Sequence, residues 1–153
     1  MKVPQYSEAE IRCVLQYRHY YKSARLEKLA RPVKKNEQQS SWTKPSIRAA
    51  ASSGFSPGPF APLMGIQGMV TRTGWNGETW GAEQRITVDE ALRVTTINGA
   101  YASREEAIKG SITPGKLADY VVLADDPHAV PQDKIKDIAI VETVTGGTTV
   151  YQA

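Results

Sequence analysis

Apolar and polar positions along the chain change their spacing twice. Over residues 7–30, Ser7 and Glu10 stand at the spacing of a capping box, in which the N-cap and N3 residues each bond the other's backbone N–H. Ile11, Val14 and Leu15 then recur at helical spacing, until Arg18, Lys22 and Arg25 break the stripe. Pro32 ends this predicted helix, and residues 34–45 (KKNEQQSSWTKP) read as a polar linker. Small residues follow at 49–53, and then a stretch too rich in Pro and Gly for regular structure, FSPGPFAP. Leu63, Ile66, Met69 and Val70 line one face of a predicted short helix, and 71–81 (TRTGWNGETWG) reads as a loop. Thr87 and Glu90 form a second capping box, opening a helix whose inner face is Val88, Ala91, Leu92 and Thr95. Asn98-Gly99 is the expected interruption or end.

From residue 110 the pattern is that of strands. Pro114-Gly115 suits positions i+1 and i+2 of a type II turn. Residues 120–123 are a compact apolar strand stopped by Asp125-Asp126-Pro127. Residues 138–145 and 148–151 flank Gly146-Gly147, a two-residue hairpin turn in which both positions accept positive φ. So few strands are marginal alone and call for a partner sheet.

Composition adds a boundary to this picture. The chain has 153 residues, 41% hydrophobic and 23% charged, within the range of one globular domain rather than a disordered segment. Residues 1–48 carry 11 Lys or Arg against 4 Glu, net +7, and residues 49–153 carry 8 against 12, net −4, together the +3 of the whole chain. The basic character therefore belongs to the first segment. No apolar run is long enough for a bilayer, and MKVPQYSEAE lacks the apolar core of a secretory signal, so a cytoplasmic protein is expected. The single cysteine, Cys13, excludes an internal disulfide and a cysteine-based zinc finger.

Residues with chemical potential are sparse. Cys13 and His19 are six apart, which on a helix separates them by roughly 240°, the wrong disposition for a shared metal. His128 follows Asp125-Asp126-Pro127 in a turn, where a polar surface residue is expected. Asp119 has the chemistry of a general acid, but capping the turn before its strand is the simpler role, and Lys116 falls in the same turn. Arg12, Arg18, Lys22, Arg25, Lys28, Arg31, Lys34 and Lys35, interleaved with Tyr17, Tyr20 and Tyr21, have the composition of a nucleic-acid-binding segment. A solvated basic stretch is the simpler account, and nucleic acid is not the expected partner.

Four stretches, AASSGFSPGPFAPLMGIQGMVTR, ITVDEALRVTTINGAYAS, KGSITPGKLADYVVLADDP and IVETVTGGTTVY, resemble in this order the end of amidohydrolase-superfamily enzymes. They are most similar to the branch that includes N-substituted formamide deformylases and related metal-dependent hydrolases. The third stretch is the most specific, since Gly110, Gly115, Lys116, Ala118 and Asp119 reproduce a G-S-x-x-x-G-K-x-A-D pattern. The resemblance implies an α/β fold: the end of a (β/α)8 TIM-type barrel, with 49–53 its last strand and the Thr87 helix one of its closing helices. The strands after residue 110 would be half of a small composite β-sandwich. The implied domains are an unmatched basic segment at 1–48, a terminal barrel segment at 49–109 and a sandwich half at 110–153. Residues 1–48 do not align with the family's penultimate barrel units, an abrupt change of the kind a shifted reading frame or misplaced start produces.

The family's chemistry is hydrolysis of carbon–nitrogen bonds other than peptide bonds, by water activated on zinc or a similar divalent metal. The substrate would be a small amide-like molecule, with no membrane involved. Such barrels carry their sites at the C-terminal ends of the strands, which makes Ser53, Gly54 and Phe55 the expected rim. Where the family reads A-S-S-D-F-S-P-G-P this chain reads Ala51-Ser52-Ser53-Gly54-Phe55-Ser56-Pro57-Gly58-Pro59. Gly54 thus stands at the position of a metal-ligating Asp and has no side chain to coordinate metal or accept a proton. The upstream H-x-H ligand pair is also missing from the chain, which has two histidines in all. The expectation is an amidohydrolase fragment without catalytic or metal-binding residues of its own. The alternative is a non-catalytic interaction module that pairs its β half with another chain, including a second copy through its exposed strands, or a basic helix that binds nucleic acid.

Overall fold

A computed structural model describes residues 48–53, 60–74 and 76–153. The expected helix at 7–30, Cys13, His19, Gly54 and Phe55 lie outside the described residues. Helix α1, Pro62–Thr71, opens on a proline, whose fixed φ suits a first turn and whose missing N–H would have had no intrahelical partner. It buries Ile66, Met69 and Val70, with Leu63 partly buried beside them, which is the face the sequence predicts. The helix ends at Arg72, left-handed at φ 54°, whose N–H bonds the Gly68 carbonyl. The following loop doubles back through a single antiparallel bridge, Thr73 to Thr79.

Helix α2, Val88–Thr95, starts as predicted: Thr87 Oγ1 accepts from the Glu90 N–H, and Glu90 Oε2 accepts from the Thr87 N–H at 2.8 Å. Its buried face differs from the expected one. Ala91 and Val94 form it, with Val88 and Leu92 partly buried, while Thr95 turns its hydroxyl back onto the Ala91 carbonyl at 2.9 Å. Asn98-Gly99 is not the break. The helix stops at Thr96 (φ −119°, ψ −91°), and both residues lie inside a second helix, α3, Ile97–Ala102. The reason is tertiary: Asn98 Nδ2 donates to the Ala49 carbonyl at 2.8 Å, which fixes the new helix direction.

The second half is a three-stranded antiparallel sheet in the order β1-β2-β3, with β1 Tyr120–Leu123, β2 Ile140–Thr145 and β3 Thr148–Gln152. The Pro114-Gly115 turn forms as expected, with the Lys116 N–H on the Thr113 carbonyl and Gly115 at φ 91°. Gly146 and Gly147 have φ of 57° and 78°, so the hairpin uses the positive values that glycine allows. Strand β2 begins two residues later than expected. Ile138 is not a strand residue but the buried exit from a 3₁₀ helix, Gln132–Asp137, which the spacing did not predict. Six residues are too few to show a helical period.

Both halves share one core. Ile66, Met69 and Val70 of α1, Ile86, Ala91 and Val94 at α2, and Ile135 and Ile138 of the 3₁₀ segment form it, together with Ala49. Ile135 and Val70 are its largest fully buried side chains, each worth about 1.5–3 kcal/mol relative to exposure. Gln67 Oε1 accepts from the Lys136 N–H at 3.0 Å and seals the edge of that contact. Among the described residues, no helix is long and apolar enough to cross a membrane.

Candidate functional site

The expected rim lies at the end of residues 48–53, and helices α2 and α3 hold that segment. The Ala51 N–H donates to the Val94 carbonyl at 3.1 Å, and the Ala49 carbonyl accepts from Asn98. The Arg48 guanidinium stacks over the Tyr101 ring, 4.7 Å from its centroid. Ala49 itself is 1% exposed, so the segment is anchored by burial as well as by polar contacts. No strand partner pairs with residues 48–53 among the described residues. Ser53 ends the described part of the segment, next to the position of Gly54.

The three polar candidates in the second half have structural partners. Lys116 Nζ donates to the carbonyls of Glu106 and Lys109 and to Ser111 Oγ, so its ammonium closes the turn that precedes it. Asp119 does not cap its own turn, as the sequence suggested. Its Oδ1 accepts from the Gly146 N–H at 2.7 Å, while the Gly147 N–H donates to the Ala118 carbonyl at 3.0 Å. The Gly-Lys-x-Ala-Asp turn and the Gly-Gly hairpin are therefore two halves of one device, which sequence spacing alone could not reveal.

His128 is more than the isolated surface residue expected. Its Nδ1 lies 2.8 Å from Asp126 Oδ1 and its Nε2 lies 3.1 Å from Asp89 Oδ1, in the first turn of α2. The His128 backbone N–H also donates to Asp126 Oδ1, at 2.9 Å. Hydrogen bonds to Asp126 and then Asp89 raise the imidazole pKa above its ordinary value of 6.5. The backbone and side-chain bonds from His128 in turn lower the Asp126 carboxyl below its ordinary value. The Asp126 half of this arrangement is a local Asx-type turn, visible in principle in the D-P-H sequence. Asp89 is 39 residues away and carries no sequence signal.

These residues do not fit a divalent metal. Among the described residues, no three His, Cys, Asp or Glu side chains are grouped to hold one. Both nitrogens of His128 face carboxylates, Asp119 is bonded to backbone, and Gly54 offers no donor. What the arrangement can do is hold a turn, a hairpin and a helix together.

Helices packed on the 3₁₀ segment that leads into an antiparallel sheet, with the glycine and aspartate pattern locking the turn before β1 to the β2–β3 hairpin, define a recognisable class of chain. It belongs to the Amidohydrolase family, whose profile matches residues 39–151. An N-substituted formamide deformylase of Arthrobacter pascens is 30% identical over 106 residues, covering 69% of this chain and 20% of that protein. The LONG AFTER FAR-RED 3 protein of Arabidopsis thaliana is 33% identical over 94 residues, 59% of this chain and 15% of its own length. An imidazolonepropionase of Porphyromonas gingivalis is 39% identical over 66 residues, 43% of this chain and 16% of the enzyme. The chain thus spans a fifth or less of the length of these relatives. No solved structure matches it.

Proposed function

We propose that this chain is the C-terminal portion of a hydrolase acting on carbon–nitrogen bonds other than peptide bonds, and that it has no turnover by itself. Residues 49–109 would be the terminal barrel segment, with 49–53 its last strand, and 110–153 the sandwich half; the family match begins at residue 39, so the segment outside it is 1–38 rather than the 1–48 expected from the sequence. The observation that carries this is the family match over 39–151, joined to a glycine, Gly54, where the resemblance leads one to expect a metal-ligating Asp. A water made nucleophilic by a metal needs ligands to hold the ion and a base to take the proton. Neither function can be met by glycine, and the polar side chains nearest to candidates have structural bonds instead.

The test uses the purified chain with added zinc or manganese, assayed on N-formyl and N-acyl amines. No release of amine above a metal-only blank is expected, and Gly54→Asp alone should not create any. Turnover by the unaltered chain would overturn the claim of inactivity. A second reading, an interaction module that pairs through its sheet, is favoured by the exposure of Val121, Val150 and Tyr151. Size-exclusion chromatography with light scattering separates the two: a discrete oligomer supports the module, and a monomer or heterogeneous aggregate opposes it.

A further inference from the structure

We infer that His128 is a protonation-dependent tie between the turn after β1 and the first turn of α2. A neutral imidazole has one N–H, yet both ring nitrogens here lie at hydrogen-bond distance from carboxylate oxygens, Nδ1 at 2.8 Å and Nε2 at 3.1 Å. Two ionised carboxylates only accept, so both contacts form together in the imidazolium alone. The charged groups facing the ring are Asp126 from its own turn and Asp89 from α2. Each favours the proton. On its own turn, the His128 N–H also bonds Asp126, so that contact survives loss of the proton. The Asp89 contact is then the one that opens, because a single remaining N–H is kept by the shorter, doubly bonded Asp126 side.

The direction follows from the groups. His128 has a folded-state pKa above its ordinary value, so the tie is fully present below 6.5 and is lost as pH rises through the raised value. Asp126 is shifted the other way, so its share is present above 3.8 and is lost as pH falls through its lowered value. The tie therefore operates from mildly acidic to near-neutral pH, and the seating of the 125–128 turn on α2 loosens above that window. This inference is independent of whether the chain, or a longer protein containing it, hydrolyses anything.

The experiment is a nuclear magnetic resonance titration of the 153-residue chain carrying His19→Gln, which leaves one histidine ring. The midpoint is expected above 6.5, and Asp89→Asn and Asp126→Asn should each lower it, while Asp133→Asn leaves it in place. In the chain with Asp89 intact, a through-space contact between the His128 ring and the Asp89 methylene should be present below the midpoint and lost above it. A midpoint that Asp126→Asn moves and Asp89→Asn does not, or a ring contact that persists above the midpoint, would overturn the tie.

Discussion

Gly110 and Gly115 sit five residues apart in one pattern and need to be glycine for different reasons. Gly110 has φ 84°, and a Cβ there would lie 2.6 Å from Ala100 Cβ and 3.1 Å from Ile97 Cα. Gly115 has φ 91° but open space around the missing Cβ. A left-handed conformation costs a residue with a Cβ about 1–2 kcal/mol, and overpacking typically adds about 1–3 kcal/mol. Gly115→Ala is then expected to lose about 1–2 kcal/mol, and Gly110→Ala about 2–5 kcal/mol, in urea denaturation of the whole chain. Equal losses would mean that α3 yields to the added methyl. At this scale the sequence was legible as a pattern of residue types and not as a set of contacts. Pro114-Gly115 announces its turn locally, whereas the duties of Gly110 and Asp119 depend on partners in α3 and at Gly146.

Elements whose causes are local were readable to within a residue or two. The reciprocal bonds of Thr87 and Glu90 need only four residues of chain, and α2 starts where they say. Thr87→Ala removes the side-chain acceptor for the Glu90 N–H and should cost about 1 kcal/mol of stability, within the usual 0.5–2 kcal/mol for such caps. Circular dichroism during denaturation checks this, and a neutral result would show that tertiary contacts alone set the start of α2. The other end of the helix was misplaced because its cause is remote: Asn98 reaches the Ala49 carbonyl, 49 residues back. The 3₁₀ segment was missed for a related reason, since Ile135 and Ile138 acquire their meaning only by packing against α1.

For the whole molecule, the sheet is the part left most open. Of the strand residues, Val144 is the one buried and Leu123 the one packed on the core, while Val121 and Tyr151 are half exposed on one sheet face and Val150 is 62% exposed. Apolar strands presented in this way promote association between chains. Replacing Val121 and Tyr151 by Lys should therefore shift light-scattering mass toward monomer, with the largest change at high protein concentration. An unchanged mass would place any self-association elsewhere in the chain. The expected sandwich was legible here as a need for a partner, but the sequence could not name one.

The join between residues 118–119 and Gly146-Gly147 has one more consequence. It fastens the hairpin at its tip, while pairing with β1 fastens it along its length. Covalent continuity through the intervening connection is therefore a convenience rather than a requirement. A chain nicked between 129 and 131 would keep its last two strands seated, as two polypeptides travelling as one particle.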